Sequence, residues 1–253
     1  LFYFISMQFP PSELVLNSNN QVYHLGLSPS TISDKIILVG DQDRVSMISS
    51  FFDSIEHQSQ HREFVCHTGI YKRKRITVIS TGIGTDNIDI TLNELDALVN
   101  IDLENREEKK NLKSLDIIRI GTCGILQAQI PIHSYIVSTH AFGLDNIAHF
   151  YEISNTDEEK KLKEELVKHL EFPVGIEPYL ATSKHELTEK LISEKTFQGI
   201  TVTSSGFYGP QGRQLRVKNT TVGMNEKLTS FSFNKHIVTN FEMESSAIFA
   251  LGT

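Results

Sequence analysis

Apolar runs rich in β-branched residues constrain the fold of this chain more than any other feature. The runs are KIILVG, ITVIST, LDIIRIGT, SYIVST and GITVTSSG, at residues 35–40, 76–81, 115–122, 134–139 and 199–206. Continuous runs of this length are typical of strands buried on both faces of a sheet. Helical patterns separate them, and those over residues 156–170 and 183–194 are amphipathic. This alternation predicts a single α/β domain around a mostly parallel or mixed sheet.

Charge and cysteine usage exclude several classes of partner. The chain has 253 residues and a net charge of -7 at pH 7, whereas nucleic acids and anionic membranes require a basic surface. Any bound phosphate must therefore be held by a local arginine cluster. Cys66 and Cys123 show no CxxC spacing, and the ten histidines show no HExxH pattern. We expect no metal, no membrane span and a cytoplasmic location.

The glycine-rich segment SSGFYGPQGRQL places three side chains suited to a pyrimidine base near one another. Phe207 supplies a ring, Gln211 a carboxamide and Arg213 a guanidinium. The edge of uracil presents an acceptor, an N–H donor and a second acceptor, which an amide beside an arginine can satisfy while the ring covers one face. Cytosine would mismatch two of the three groups. A solvated Gly/Pro turn is the alternative interpretation.

Glycine-containing turns close several of the apolar runs, at the strand ends where open α/β sheets bind ligands. In VGDQDR, Gly40 ends a strand and Arg44 lies in the first turn of a helix, which is typical of an anion site. In RIGTCG, Arg119 interrupts an apolar strand and Thr122 follows at its end. A half-buried arginine needs an anion or a carboxylate, so a ligand site and a structural ion pair both remain open.

Glu242 and Glu244 flank Met243 at the start of a helical pattern. Residues two apart do not share a helix face, so the two carboxylates are not a paired acid and base. One carboxylate can bind two neighbouring sugar hydroxyls, or it can cap the helix, and both interpretations stay open. His24 and Arg62 have no role that the residues around them explain.

Taken together and in this order, these segments resemble the nucleoside phosphorylase family and, within it, the uridine-cleaving members. The matching segments are VYHLGL, ILVGDQDRV, HREF, STGIGTDNI, RIGTCG, FYGPQGR and NFEMES. The resemblance implies a three-layer α/β/α fold with a central mixed, partly barrel-like sheet. It also implies a homo-oligomer built from dimers, possibly a hexamer, in which neighbouring subunits complete each site. We expect an N-terminal tail over residues 1–19 and the family domain over residues 20–253.

The resemblance further implies a reaction and a role for each candidate residue. The reaction is reversible phosphorolysis of uridine to uracil and ribose 1-phosphate, with inorganic phosphate as co-substrate and no cofactor. The implied phosphate ligands are Gly40, Arg44, Arg62, Arg119 and Thr122. The implied ribose ligands are His24, Met243 and Glu244, and the implied base ligands are Phe207, Gln211, Arg213 and Glu242. Arg119, Arg213 and Gln211 are implied to be catalytic, and His24 and Arg62 to act in the neighbouring subunit's site.

The chain departs from the family pattern at three places. Gln42 stands where the family has proline, which is expected to loosen the first phosphate turn without removing a ligand. Ile125 stands where a second glycine is common. Family members continue beyond the position of Thr253, so a shortened C-terminal region is expected.

Other functions remain open. A purine nucleoside phosphorylase, or a nucleosidase that uses water, shares the family fold, although the Gln211–Arg213 pair favours a pyrimidine and the arginines favour phosphate. A catalytically silent nucleoside-binding or assembly subunit is the alternative from a different class.

Overall fold

The computed structural model of the protein describes residues 8–172 and 175–252. The first seven residues of the predicted tail, and Thr253, lie outside this range. Contacts within the chain define two compact units. The first contains the described residues up to Gly82 together with Ile90–Gly121, and the second contains Ile83–Asp89 and the described residues from Thr122 onward.

The first unit is built on a five-stranded mixed sheet in the order β2-β3-β4-β1-β7. Its elements are β1 (Lys35–Val39), α1 (Gln42–Ser49), β2 (Ser54–His61), β3 (Phe64–Tyr71), β4 (Lys74–Ser80), β5 (Ile101–Asp102), β6 (Glu107–Glu108) and β7 (Asp116–Arg119). Strand β1 is parallel to β4 and to β7, whereas β2, β3 and β4 form an antiparallel meander. The short strands β5 and β6 pair separately. Helix α2 (Thr85–Asn100) begins in the second unit and continues into the first.

The carboxyl edge of this sheet is prepared by the turn after β1. The parallel register aligns Leu38 with Arg119, so that the loops after β1 and β7 leave the sheet at the same edge. Asp41 caps helix α1 because its Oδ1 accepts a hydrogen bond of 3.0 Å from the Asp43 N–H. Val45 of α1 then packs on buried valines of β1 and β4, which anchors the helix over the sheet.

The second unit contains a mixed sheet in the order β10-β9-β11-β13-β12, with β8 paired to β13. Its elements are β8 (Gly124–Ile125), β9 (Tyr135–Gly143), α3 (Asp157–Leu170), β10 (Tyr179–Thr182), α4 (His185–Leu191), β11 (Thr196–Thr203), α5 (Met224–Ser230), β12 (Ser232–Phe233), β13 (His236–Glu242) and α6 (Ser245–Leu251). Strands β9, β11 and β13 run parallel, and β8, β10 and β12 pair antiparallel to their neighbours.

Helix α3 shows how the charged segment before β10 covers this sheet. Thr156 and Glu159 form a reciprocal capping box at its start. Leu162, Leu166 and Leu170 recur every fourth residue, and all three are buried in the main apolar core of the second unit. The spacing places them on one face of the helix, while its charged residues face solvent.

The predicted α/β class with a mixed sheet is confirmed, and each predicted run contains a strand. Both large sheets are open among the described strands. The predicted burial on both faces is wrong for two of the runs, because β7 and residues 135–139 of β9 are exposed or only partly buried. For β7 the reason is its place at the edge of the first sheet, where it has β1 as its sheet neighbour. Within residues 8–172 and 175–252, no helix has the length and apolar character needed to span a membrane.

Candidate active site

Two predicted phosphate residues meet where β1 and β7 end. Arg119 is partly buried, and its Nη1 lies 3.5 Å from Thr81 Oγ1. A methyl group at Gly40 would lie 3.3 Å from Arg119 Nη2 and 3.3 Å from the Gly82 carbonyl oxygen. The lack of a side chain at Gly40 therefore lets the guanidinium approach the backbone closely.

A second guanidinium lies at the same edge of the first unit. Arg44 follows the capped start of α1, and its Nη1 donates a hydrogen bond of 3.3 Å to the Ile120 carbonyl oxygen, one residue after Arg119. The first unit thus brings Gly40, Arg44 and Arg119 together. Two cationic side chains beside a helix N-terminus make an environment suited to an oxyanion.

Arg62 lies at the exposed tip of the β2–β3 hairpin, where its backbone has a positive φ of 55°. Its guanidinium carbon is 5.6 Å from the centre of the Tyr23 ring. The Gln42 side chain donates from Nε2 to the Arg62 carbonyl oxygen at 3.1 Å. This amide joins the start of α1 to the hairpin tip, a contact that the sequence analysis missed, and the expected loosening of the phosphate turn stays a prediction.

His24 has a partner that the sequence analysis missed. Its Nδ1 lies 2.6 Å from Glu94 Oε1, and the Glu94 carboxylate also accepts the backbone N–H groups of His24 and Leu25. Glu94 is on α2, seventy positions along the chain, so no local pattern could reveal it. The His61 Nδ1 lies 2.8 Å from the His24 carbonyl oxygen. His24 and Arg62 thus belong to one surface of the first unit.

The three predicted base-binding side chains of the glycine-rich segment cluster in the second unit. The Arg213 guanidinium carbon lies 4.0 Å from the centre of the Phe207 ring. Its Nη1 donates to the Phe207 carbonyl oxygen at 2.8 Å and to Gln211 Oε1. Phe207 is half exposed, with 51% of its surface accessible. Arginine therefore stacks on one face of the ring, an arrangement that residue types alone did not predict.

Two small residues and an asparagine shape this cluster. A methyl group at Gly124 would lie 3.2 Å from Arg213 Nη2, so the glycine leaves room for the guanidinium. Gly212 has a φ of 71°, and the adjacent Asn225 side chain donates to the Gln211 carbonyl oxygen at 3.2 Å. Gln211 is buried, and its Nε2 lies 3.4 Å from the Glu242 carbonyl oxygen. Backbone and side chain of Gln211 are both held in place.

Glu242 caps helix α6, which is one of the two interpretations left open by the sequence. Its Oε2 accepts the backbone N–H groups of Glu244 at 2.9 Å and Ser245 at 2.8 Å, and its Oε1 accepts the Thr203 hydroxyl. Burial raises the pKa of the Glu242 carboxyl and the charge of Glu244 adds to this, while these hydrogen bonds oppose it. A direct contact of Glu242 with the base stays a prediction.

Glu244, Met243 and Thr122 are the other predicted site residues of the second unit. Glu244 is buried, and its Oε1 accepts the Gly84 N–H at 2.9 Å. Met243 is partly buried between the two glutamates, and Thr122 is exposed just before β8. Gly84 has a φ of 104°, so this glycine serves both a turn and the placement of the Glu244 carboxylate.

Within the described parts of the chain, no cluster of three or more His, Cys, Asp and Glu side chains is arranged to hold a metal ion. Among the predicted site residues, Arg213 contacts a carbonyl oxygen, Glu242 contacts backbone amides and His24 contacts a carboxylate. Such contacts orient these side chains for hydrogen bonding and charge stabilisation.

The chain belongs to the phosphorylase superfamily, whose family model matches residues 34–253. A uridine phosphorylase of Thermococcus kodakarensis is 29% identical over 254 residues, which cover 98% of this chain and 76% of that protein. A crystal structure of a Trypanosoma brucei nucleoside phosphorylase, described as showing uridine phosphorylase activity, superposes with a TM-score of 0.86 at 33% identity. That match covers 95% of this chain and 86% of the other.

A purine-specific relative matches only part of the chain. A DeoD-type purine nucleoside phosphorylase of Alkaliphilus metalliredigens is 35% identical over 119 residues, or 47% of this chain and 46% of that protein. Coverage alone does not separate the two specificities, because another DeoD-type purine nucleoside phosphorylase, from Brevibacillus brevis, is 27% identical over 230 residues, or 90% of this chain and 79% of that protein.

Proposed function

We propose that this protein is a pentosyltransferase that catalyses the reversible phosphorolysis of uridine to uracil and ribose 1-phosphate. The observation that carries the proposal is the Phe207–Arg213–Gln211 cluster. A uridine phosphorylase that matches 98% of this chain supports the same reading. The reaction needs inorganic phosphate as co-substrate and no cofactor.

Base recognition follows from the donors and acceptors of this cluster. The Gln211 carboxamide has an oxygen that can accept the uracil N3–H and an N–H that can donate to a flanking carbonyl. The Arg213 guanidinium donates to the other carbonyl, where negative charge develops as the base departs. Because Arg213 is stacked on Phe207 and hydrogen-bonded to its backbone, its charge is oriented before substrate binds.

The residues assigned to phosphate hold the second substrate, which is the nucleophile of the reaction. Gly40, Arg44 and Arg119 form the anion environment in the first unit, and we assign Thr122 and Arg62 to the same ligand. Arginines orient the phosphate oxygens for attack on C1′ and hold the nucleophile close to the ribosyl group as it becomes cationic. The glycosidic electron pair leaves with uracil, and a phosphate oxygen forms the new bond to C1′.

We assign the ribose to His24, Met243 and Glu244, with Glu244 binding the 2′ and 3′ hydroxyls and His24 the 5′-hydroxyl. We further propose that His24 and Arg62 serve a neighbouring copy of the chain in a homo-oligomer. Their place on one surface of the first unit supports this assignment.

Cys66 and Cys123 are both free thiols, which supports a location in the reducing cytoplasm.

The choice of nucleoside tests the proposal. The purified protein is supplied with phosphate and, separately, with uridine, cytidine, inosine or adenosine, and base release is followed by chromatography. We expect uracil to be released far faster than any other base. Faster release of hypoxanthine or adenine would identify a purine phosphorylase instead. Uridine binding without any product would identify a nucleoside-binding subunit.

A further inference from the structure

Glu94 holds the whole His24 segment through one carboxylate. Its Oε1 lies 2.6 Å from His24 Nδ1 and 2.9 Å from the His24 backbone nitrogen, while its Oε2 accepts the Leu25 N–H at 2.8 Å. The side chain of Glu94 is 14% exposed and that of His24 is 33% exposed. The ring of Tyr23 meets the His24 ring edge-on at 5.0 Å. The hydrogen bond at Nδ1 and the contact with the Tyr23 ring therefore fix the orientation of the imidazole.

These contacts determine which ring nitrogen carries the proton of a neutral His24. An ionised carboxylate only accepts hydrogen bonds, so Nδ1 must donate to Glu94. The hydrogen bond made by one imidazole nitrogen sets the state of the other. Nε2, which makes no hydrogen bond within the described part of the chain, is then left as an acceptor.

We propose that Glu94 is a positioning residue for ribose: it orients the His24 ring and keeps the proton on Nδ1, so that Nε2 accepts a hydrogen bond from the 5′-hydroxyl of the nucleoside. This inference rests on the proposed function, which assigns His24 to that hydroxyl. Glu94 acts through His24 and does not touch the substrate. Glu94 lies on helix α2, seventy positions along the chain from His24, so a residue of this helix controls a contact between His24 and the substrate.

The state of the ring can be measured without any substrate. Long-range nitrogen–proton NMR correlations of histidine-labelled protein, at a pH where His24 is neutral, show which nitrogen carries the proton. We expect the Nδ1–H form in the unmodified protein. In Glu94→Gln, the amide carbonyl keeps the backbone N–H groups and the NH₂ faces Nδ1, so the proton should move to Nε2. An Nε2–H ring in the unmodified protein, or an unchanged ring in Glu94→Gln, overturns the proposal.

Kinetics with uridine and 5′-deoxyuridine then separate positioning from a purely structural role. Glu94→Gln should lower kcat/KM for uridine about 3- to 10-fold, the range of one net hydrogen bond, and should change that for 5′-deoxyuridine less than about twofold. Adding Glu94→Gln to His24→Ala should cause no further loss. The control Asp96→Asn removes a carboxylate of the same helix that binds Asn100 and should leave both substrates unaffected.

Equal losses for the two nucleosides, or no loss for uridine, would overturn the positioning role. Failure of the unmodified protein to cleave uridine at all is a different result, because it contradicts the proposed function while the NMR comparison still reports on the Glu94–His24 pair.

Discussion

The Arg213 side chain makes three contacts within the predicted base-binding cluster. Its guanidinium stacks on Phe207, donates to the backbone of the same residue and contacts the Gln211 carboxamide. Gly124 leaves the space that the guanidinium needs. A planar fork can make these contacts and still present donors to a base, whereas an ammonium group cannot stack and chelate in this way.

Replacing Arg213 should therefore disable catalysis more than folding. Arg213→Ala should lower kcat/KM for uridine about 10²-fold or more, because a donor aimed at developing charge is lost. Arg213→Lys should recover little of that loss. Arg216→Ala, which removes an exposed arginine three positions later, is the matched control. Steady-state kinetics of the three variants decide the matter, and an Arg213→Ala enzyme within a factor of about two of the unmodified one would place the base elsewhere.

His140 provides a second residue-level prediction, this time for stability. Burial lowers its pKa to about 4, with the charge of His236 acting in the same direction, Lys235 adding weakly and Glu158 and Glu159 opposing. The neutral ring is thus favoured in the folded protein. The stability that the neutral His140 ring allows is fully present above the ordinary histidine pKa near 6.5. It is lost as the pH falls from 6.5 to about 4, because the unfolded chain then binds a proton that the folded protein does not.

The free energy of unfolding should accordingly fall on acidification, by on the order of 2 kcal/mol from this group alone. His140→Gln should flatten the dependence between about pH 6.5 and 4, as followed by urea denaturation at several pH values. His133→Gln, at an exposed histidine, is the control and should keep the slope. Identical slopes for His140→Gln and the unmodified protein would contradict the assignment.

At the scale of elements, the β2–β3 hairpin is the part of the first unit that the sequence reveals least. Its strand β2 is mostly exposed and polar, so it lacks the apolar run that indicates a buried strand. Pairing of β2 with β3 stabilises the hairpin, and the Gln42 amide binds its tip. This link joins the helix that carries Arg44 to the turn that carries Arg62.

Removing the Gln42 amide should free the hairpin tip and affect phosphate more than nucleoside. Gln42→Ala should raise KM for phosphate about 3- to 10-fold, since one hydrogen bond is lost, with little change in KM for uridine. Hydrogen exchange of the hairpin amides should accelerate. Gln60→Ala, at an exposed position of β2, serves as the control. Unchanged exchange and unchanged phosphate KM in Gln42→Ala would show that the contact has no role in placing Arg62.

The elements differ in how far the sequence alone could predict them. The central strands were predictable because burial on both faces demands continuous apolar runs, as in β1 and β11. The types of the base-binding residues were predictable because they lie within one short segment. The Glu94–His24 pair and the stacking of Arg213 on Phe207 were not, because each depends on a contact between side chains that no periodicity encodes. For Glu242, the sequence left capping and sugar binding open, and the hydrogen bonds to Glu244 and Ser245 show the cap.

At the scale of the whole molecule, the proposed function requires more than one copy of the chain. His24 and Arg62 share a surface of the first unit, and the proposal gives both to a neighbour's site. A chain that lacks Arg62 and a chain that lacks Arg213 would then have complementary defects in a mixed assembly.

Mixing these two inactive chains should restore part of the activity. Arg62→Ala and Arg213→Ala proteins are denatured together and refolded, and hybrids are confirmed by native mass spectrometry with one chain isotopically labelled. We expect roughly a quarter to a half of the unmodified activity per hybrid dimer, because about one of two shared sites regains all its ligands. Activity no greater than that of either variant alone, with hybrids present, would show that each chain supplies a complete site.

The fate of phosphate tests the central claim most directly. Uridine and inorganic phosphate are incubated with the protein and followed by ³¹P NMR, while uracil is measured in the same sample. We expect one ribose 1-phosphate to appear for each uracil released, and no uracil to form when phosphate is omitted. Release of uracil with the inorganic phosphate signal unchanged would mean that water is the nucleophile, and would contradict the assignment of Gly40, Arg44 and Arg119 to a phosphate co-substrate.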